Sequence, residues 1–168
     1  MENVPKEDGV LLCCNHISNL DPPLLGSYLK RNVHYMAKRE LFENRFLNWL
    51  LTKLNAFPIR RGMSDKQALR TAITLLKENH IVGLFPEGTR SKDGKLGKGL
   101  SGAGFFALRT NAKVVPSAII GPYKFRKKVT LVYGQPIDFS ELKERKASAE
   151  EATQLIMSEI QKLINHNK

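Results

Sequence analysis

The sequence predicts an α/β sandwich, a single domain over residues 1–168 in which helices flank a mostly parallel or mixed central β-sheet. Short apolar or alternating runs, typical of strands, alternate along the chain with longer amphipathic segments typical of helices. A chain of 168 residues can bury one substantial core. Hydrophobic residues make up 42% and charged residues 26% of the chain, which is ordinary for a globular domain.

The first half of the chain predicts three strands and three helices. Val10–Cys14 is an apolar run typical of a short buried strand. Asp21 stands before two prolines, which favours a helix that starts at position 22 with Asp21 as its N-cap. Ser64 and Gln67 form a capping box before an apolar helical face. We therefore predict strands at 10–15, 32–38 and 56–60, and helices at 22–30, 40–54 and 64–79.

The second half continues the alternation after a glycine-rich turn region. The run His80–Phe85 is apolar and predicts a buried strand. A second capping box, Ser148 with Glu151, marks the start of the last helix. We predict strands at 80–85, 113–120 and 128–133, and helices at 103–110 and 148–165.

The net charge of +11 predicts an anionic partner, which could be nucleic acid, an anionic membrane surface or a phosphate-bearing substrate. Cys13 and Cys14 are adjacent in an apolar run, so we expect small buried hydrophobic residues in a reducing compartment. No signal peptide is visible, and no apolar run approaches the roughly 20 residues that span a bilayer. We expect any membrane contact to be at the surface.

Polar residues follow three of the predicted strands. Asn15 and His16 come after the first strand, Arg60–Gly62 after the third and Pro86–Arg90 after the fourth. Ligands of open α/β sheets bind at the carboxyl ends of the strands. One such cluster would be chance, but three at one edge of a sheet predict a single site.

His16 and Asp21 are the candidate catalytic pair. In one continuous helix they would point about 140° apart, whereas a loop can bring them together. His16 would act as a general base oriented by Asp21, and a dyad without its own nucleophile suits transfer to an external hydroxyl. Two other interpretations stay open on these residues alone: Asp21 as an N-cap only, and His16 as a loop histidine without a function.

Other residues of the strand ends could bind substrate. Arg61 and Arg90 could hold a phosphate, because guanidinium groups bind phosphate in a bidentate manner. Glu87 would orient one of these arginines or touch a substrate hydroxyl. Backbone N–H groups around Gly88 could hold the oxyanion of an acyl-transfer intermediate.

Three further motifs are weaker. Gly97–Gly102 satisfies G-x-G-x-x-G, but no strand precedes it and no acidic residue lies about 20 positions on, so we exclude a dinucleotide site. Cys13, Cys14 and His16 lack a second ligand pair at zinc spacing. The basic, aromatic run Pro122–Lys128 could bind nucleic acid. Without a nucleic-acid motif, a solvated connection or a membrane-facing patch fits that run better.

These motifs resemble those of the glycerolipid acyltransferases, specifically the bacterial 1-acyl-glycerol-3-phosphate acyltransferases. The family's N-H-x-x-x-x-D box stands at Asn15–Asp21, and its F-P-E-G-T-R-S box is intact at Phe85–Ser91. The arginine-bearing box is similar to Phe57–Arg61, where we favour Arg61 over Arg60 as the functional arginine. An apolar box with an embedded proline is similar to Val114–Ile119.

The resemblance implies a glycerol-3-phosphate acyltransferase-like fold and a reaction. His16 would activate the free hydroxyl of lysophosphatidic acid to attack an acyl thioester, giving phosphatidic acid without an acyl-enzyme, a cofactor or a metal. The donor stays open between acyl-CoA, acyl carrier protein and acyl phosphate. The implied substrate-binding residues are Asn15, Arg60, Arg61, Glu87, Gly88, Thr89 and Arg90.

The resemblance also implies a peripheral protein at the cytoplasmic side of the cell membrane, with anionic lipid and not nucleic acid as its surface partner. Relatives usually carry an upstream membrane-binding segment, which we expect this domain to lack. Glu40–Leu54 is then the candidate contact, because Phe42, Phe46 and Trp49 join five leucines there. A helix packed wholly against the sheet is the alternative.

Two rival functions remain on the sequence alone. A phospholipid or thioester hydrolase would use the same dyad with water in place of the acceptor hydroxyl. A basic nucleic-acid-binding module would not depend on His16 and would bind oligonucleotides with a steep salt dependence.

Overall fold

The computed structural model describes residues 2–60 and 65–167, which form one sheet with helices on both faces. The elements in chain order are β1 Val10–Cys14, α1 Asp21–Ser27, β2 Val33–Lys38, a 3₁₀ helix Arg39–Phe42, α2 Arg45–Lys53, β3 Ala56–Ile59, α3 Lys66–Lys77, β4 Ile81–Leu84, α4 Gly102–Arg109, β5 Lys113–Ile120, β6 Thr130–Tyr133, α5 Ser140–Glu144 and α6 Ala149–His166. The predicted α/β sandwich is confirmed.

The six strands lie in the order β3-β2-β4-β1-β5-β6. Strands β1 to β5 are parallel, and β6 pairs antiparallel with β5, so the sheet is mixed and mostly parallel as predicted. Strand β1 lies between β4 and β5, with Val10 opposite both Ile81 and Lys113. The carboxyl ends of β1 and β4 are therefore neighbours near the centre of the sheet.

Strand β1 is apolar throughout because both of its faces are covered. All five of its residues are fully buried. Leu11 and Cys13 belong to the core cluster formed with α3, α4 and α6. Val10, Leu12 and Cys14 belong to the cluster on the other face, which includes Leu25 of α1. A strand covered on both faces reads as a continuous apolar run, which is the pattern in the sequence.

The predicted helix over 40–54 is wrong in its continuity, since the segment divides into the 3₁₀ helix and α2. Asn44 has an extended backbone between them, and its side chain accepts a hydrogen bond from the backbone N–H of Leu47 at 3.0 Å. Asparagine is a favoured N-cap, so it starts a new helix here. No residue of α2 is buried, which contradicts the alternative of a helix packed wholly against the sheet.

Helix α1 starts one residue earlier than predicted, and Asp21 is not its N-cap. The helix spans Asp21–Ser27, Leu20 holds the N-cap position, and no side chain caps it. The two prolines occupy the first turn, where a missing backbone N–H removes no helical hydrogen bond. The Asp21 side chain turns back towards the preceding loop instead.

The two predicted capping boxes have different outcomes. Ser64 lies outside the described residues, and Asp65 caps α3 by accepting from the backbone N–H of Ala68 at 3.1 Å. Ser148 caps α6 as predicted, accepting from the backbone N–H of Glu151 at 3.1 Å. The carboxylate of Glu151 pairs with Arg145.

The short helix α5 was not predicted. It has five residues, too few to show a helical period in the sequence. Asp138 accepts hydrogen bonds from the backbone N–H of Ser140 at 2.9 Å and from its hydroxyl at 2.7 Å, which fixes the turn into the helix. Across residues 2–60 and 65–167, no helix combines the length and apolar character needed to cross a bilayer.

Candidate active site

His16 and Asp21 are in direct contact just beyond the end of β1. The distance between His16 Nδ1 and Asp21 Oδ2 is 2.7 Å. The contact suits the tautomer in which Nδ1 donates to the carboxylate and Nε2 keeps its lone pair. The His16 ring stacks on Phe85 with the two ring centroids 4.2 Å apart. The pair has the geometry of a general base with an orienting acid.

The carboxylate of Asp21 is fully buried and accepts four hydrogen bonds. Oδ2 accepts from His16 and from the backbone N–H groups of Ile17 at 2.6 Å and Ser18 at 2.7 Å. Oδ1 accepts from the hydroxyl of Tyr123 at 2.8 Å. These donors replace the water that a buried carboxylate loses. They also force Ile17 and Ser18 to turn around the acid, which brings His16 to it.

Tyr123 is a site residue that sequence reasoning missed. It lies in the loop between β5 and β6, 102 positions after Asp21. Burial, aided by the hydrogen bond to Asp21, raises the pKa of Tyr123 above its ordinary value, so the hydroxyl stays a donor. No spacing signal connects the two residues, and the sequence around Tyr123 draws attention only by its basic charge.

Glu87 holds the backbone of the site. Its side chain is buried, with Oε1 accepting from the backbone N–H of His16 at 2.8 Å and Oε2 from that of Gly97 at 2.8 Å. The backbone N–H of Ser91 donates to the carbonyl of His16 at 2.7 Å, a second link between the same segments. The structure thus gives Glu87 a scaffold position, where the sequence predicted contact with an arginine or a substrate hydroxyl.

Gly88 closes a turn after β4. Its backbone N–H donates to the carbonyl of Phe85 at 2.9 Å, so this amide is already used and does not point to an oxyanion. Its φ of +67° favours glycine, and a Cβ there would collide with the side chain of Leu100. Thr89 and Arg90, which follow, are exposed to solvent.

Asn15 links the end of β1 to β5. Its side chain is buried, accepting from the backbone N–H of Ile119 at 2.8 Å and donating to the carbonyl of Ile119 at 2.9 Å. Both amide groups are therefore satisfied within the protein. We assign Asn15 to the scaffold of the site, although the family resemblance implied substrate binding.

The predicted arginines differ in position. Arg90 is exposed and follows β4, next to the dyad in the sheet order. Arg60 is exposed and follows the edge strand β3, which β2 separates from β4. Arg61 and Gly62 lie outside the described residues. The structure therefore joins the ends of β1 and β4 directly, and the end of β3 lies further along the same edge.

A cavity of about 250 Å³ connects Arg60 with the turn at Gly88. Its lining is mainly apolar, with Met36, Leu69, Leu84, Phe85, Leu100 and Phe106 among the residues that form it. Phe85 lines this cavity and also stacks on His16. An apolar chain in the cavity would therefore lie close to the imidazole. Among the described residues, no group of three or more His, Cys, Asp or Glu side chains could hold a metal ion.

Known proteins are similar to this chain in sequence and in fold. The family model described as "Acyltransferase" matches residues 1–120. The 1-acyl-sn-glycerol-3-phosphate acyltransferase of Bacillus subtilis is 39% identical over 95% of this chain and 85% of its own length. The enzyme of that name from Streptococcus pneumoniae is 28% identical over 99% of this chain and 65% of its own length.

A solved structure is also similar. The crystal structure of the 1-acyl-sn-glycerophosphate (LPA) acyltransferase PlsC from Thermotoga maritima superposes with a TM-score of 0.77 at 28% identity. The superposition covers 99% of this chain and 69% of that one. The chain therefore belongs to the acyltransferase family, among the O-acyltransferases related to the 1-acyl-sn-glycerol-3-phosphate acyltransferases.

Proposed function

We propose that this protein transfers an acyl chain from an acyl thioester to the free hydroxyl of lysophosphatidic acid, giving phosphatidic acid. The names of the relatives supply the acceptor. The observation that carries the chemistry is the 2.7 Å contact between His16 Nδ1 and the buried carboxylate of Asp21. That contact leaves Nε2 as the base for an incoming hydroxyl.

The proposed reaction is a direct displacement. His16 Nε2 takes the proton of the acceptor hydroxyl while the hydroxyl oxygen attacks the thioester carbonyl. Asp21 stabilises the imidazolium that forms. The tetrahedral intermediate then collapses, the carbon–sulfur bond breaks, and the imidazolium returns its proton to the leaving thiolate. The products are the new ester and the free thiol, which is CoA when acyl-CoA is the donor and the carrier-protein thiol when acyl carrier protein is the donor.

The state of the two cysteines supports direct attack on the donor. Cys13 and Cys14 are fully buried, and burial raises the pKa of both thiols well above the ordinary value. A neutral, inaccessible thiol is a poor nucleophile. The cysteine nearest to His16 in sequence is therefore unsuited to carry an acyl-enzyme.

The surroundings of the dyad offer places for both substrates. Arg61 and Arg90 are proposed to hold the phosphate, with Arg60 and Thr89 as further contacts. Arg60 and Arg90 are exposed cations that follow strands on the same edge of the sheet. The apolar cavity beside Phe85 is proposed to hold the acyl chain of the donor. No cofactor takes part in the proposed reaction.

We propose a peripheral position at the cytoplasmic side of the cell membrane, and helix α2 supports the contact with an anionic membrane surface. Phe46 is 68% exposed and Trp49 58% exposed, and the two ring centroids lie 6.2 Å apart. Arg45 and Lys53, at the two ends of the helix, are exposed as well. Aromatic side chains with flanking cations suit an anionic lipid interface, and the net charge of +11 adds attraction.

An acceptor panel tests the proposal against the hydrolase alternative. Purified protein would be given a labelled acyl-CoA or acyl carrier protein thioester with lysophosphatidic acid, with monoacylglycerol, or with water alone. We expect phosphatidic acid with the first acceptor, much less product with the phosphate-free acceptor, and little free fatty acid without acceptor. Free fatty acid released at the same rate in all three would favour a thioester hydrolase and overturn the proposal.

A further inference from the structure

Three tyrosine hydroxyls from separate parts of the chain converge on α1. Tyr35 of β2 donates to the carbonyl of Pro22 at 2.6 Å, and Tyr133 of β6 donates to the carbonyl of Leu25 at 2.7 Å. Tyr123 donates to the carboxylate of Asp21 at 2.8 Å. The first two hydroxyls support the helix backbone. The third contacts the acid of the dyad, which suggests a different task.

We propose that Tyr123 is a positioning residue of the dyad, which fixes the rotation of the Asp21 carboxylate so that Oδ2 stays aimed at His16. The proposal rests on the proposed function in that it assigns Tyr123 a role in proton transfer by His16.

The distribution of donors on Asp21 shows why one hydroxyl matters. Oδ2 receives three hydrogen bonds, from His16, Ile17 and Ser18, whereas the only protein donor described for Oδ1 within residues 2–60 and 65–167 is Tyr123. Without that hydroxyl, Oδ1 would be a buried charged oxygen with no partner in the described structure. Rotation of the carboxylate would let Oδ1 share the donors of Oδ2 and would lower the cost of burying it. The hydrogen bond between Oδ2 and His16 Nδ1 would then weaken.

The loop that carries Tyr123 is held at its base. Ile120 and Thr130 pair where β5 and β6 flank the loop. Gly121 has a φ of +108°, and a Cβ there would collide with the carbonyl of Lys128, so the two sides of the loop approach closely.

The tip of the loop is closed by its own hydrogen bonds. The backbone N–H of Lys124 donates to the carbonyl of Pro122 at 2.8 Å, and that of Lys127 to the carbonyl of Lys124 at 3.0 Å. The Tyr123 ring packs against the apolar cluster that includes Leu25 of α1. These contacts define the position from which the hydroxyl reaches Asp21.

Tyr123→Phe tests the proposal because it removes the hydroxyl and keeps the ring. The matched control is Tyr133→Phe, which removes a hydroxyl donated to the same helix but not to Asp21. We expect Tyr123→Phe to lower kcat by about tenfold, with the KM for lysophosphatidic acid changed less than about twofold. The Tyr133→Phe control should have a kcat within about twofold of the wild type. Its loss of thermal stability should be similar to that of Tyr123→Phe.

A kcat for Tyr123→Phe equal to that of Tyr133→Phe at equal loss of stability would overturn the proposal. A readout independent of turnover is the proton NMR signal of His16 Nδ1–H, identified by its loss in His16→Gln. We expect Tyr123→Phe to shift or broaden this signal and Tyr133→Phe to leave it in place. An unchanged signal in Tyr123→Phe would overturn the positioning role, whether or not the wild type forms phosphatidic acid. If the wild type formed no phosphatidic acid but the signal changed in Tyr123→Phe, the proposed function alone would have failed.

Discussion

At the scale of single residues, the site contains two buried carboxylates whose partners are mainly backbone amides. Asp21 accepts from two amides as well as from His16 and Tyr123, and Glu87 accepts from the amides of His16 and Gly97. The first acid orients the imidazole and the second orients the backbone that carries it. Together they fix His16 from both sides.

Glu87→Gln distinguishes a scaffold acid from a substrate-binding acid. Glutamine has one oxygen, so its NH₂ group would face either the His16 or the Gly97 amide, leaving a buried donor opposed by another donor. We expect the free energy of unfolding to fall by about 1–3 kcal/mol. We also expect kcat to fall because His16 loses a backbone constraint.

Thermal unfolding and steady-state kinetics check this prediction, with Glu78→Gln at the exposed end of α3 as the control. If Glu87→Gln unfolded at the wild-type temperature and only raised the KM for lysophosphatidic acid, Glu87 would be a substrate ligand.

The sequence could predict the His16–Asp21 contact but not how it is made. The motif and the prolines indicated a loop followed by a helix, which is correct. The N-cap assigned to Asp21 was wrong, because its carboxylate accepts instead from the amides of Ile17 and Ser18 in the preceding loop. Competition between local hydrogen bonds of similar strength depends on loop geometry, which residue types alone do not specify.

At the scale of elements, α2 has an exposed apolar surface that no described part of the chain covers. Phe46, Trp49 and Leu50 are all exposed, and Leu41 of the preceding 3₁₀ helix is 39% exposed. Phe46, Trp49 and Leu50 lie within α2 itself, whereas Asn44 separates Leu41 from that helix. The proposed membrane surface therefore rests on α2.

Phe46→Ser with Trp49→Ser tests that surface. We expect the folded double variant to bind vesicles containing anionic lipid at least about tenfold more weakly than the wild type, because two interfacial aromatic side chains are lost. Binding of the wild type should also weaken with salt. Vesicle co-sedimentation measures both effects.

Two exposed aromatic residues elsewhere serve as comparisons for the vesicle experiment. Tyr28→Ser removes a 60% exposed ring outside α2 and should leave binding unchanged. Phe125→Ser removes an 87% exposed ring in the basic loop between β5 and β6. If the α2 double variant bound vesicles with wild-type affinity and Phe125→Ser bound them more weakly, the membrane contact would lie in that loop and not on α2.

Gly102 tests whether the apolar cavity holds the acyl chain. It is the first residue of α4 and lines the cavity, and a Cβ there would meet no atom within 4 Å. A Cβ therefore fits at this position without a clash. We expect Gly102→Leu to shift donor preference towards shorter acyl chains, with Gly102→Ala intermediate and thermal stability retained.

The measurement for Gly102 is the ratio of kcat/KM between long and short acyl thioesters. A ratio unchanged in a folded Gly102→Leu variant would place the acyl chain elsewhere.

At the scale of the whole molecule, strand order determines which residues meet. Strand β4 lies beside β1 although 66 residues lie between Cys14 and Ile81 in the chain. Those residues include α1, β2, α2, β3 and α3. This adjacency brings Glu87 to His16, and the position of β5 on the other side of β1 brings Asn15 to Ile119. A site built on the central strands is supported from both sides.

The fold class was predictable because alternating strand and helix patterns repeat along the chain, and β5 was predicted with its observed bounds, Lys113–Ile120. The order of the strands was not, since a local pattern carries no information on which strands pair. The role of Tyr123 could therefore not be predicted from the sequence, because its contact with Asp21 depends on β5 lying beside β1. Long-range contacts follow from packing and not from spacing.

In the proposed reaction, His16 is the base that activates the acceptor hydroxyl. The most direct measurement is the rate of phosphatidic acid formation by His16→Ala, compared with the wild type and with His166→Ala at the end of α6 as the control. General-base catalysis contributes about 100- to 10,000-fold, so we predict a loss of that size in His16→Ala with its fold intact, and wild-type turnover in the control. Turnover within about tenfold of the wild type in the folded His16→Ala variant would contradict the claim.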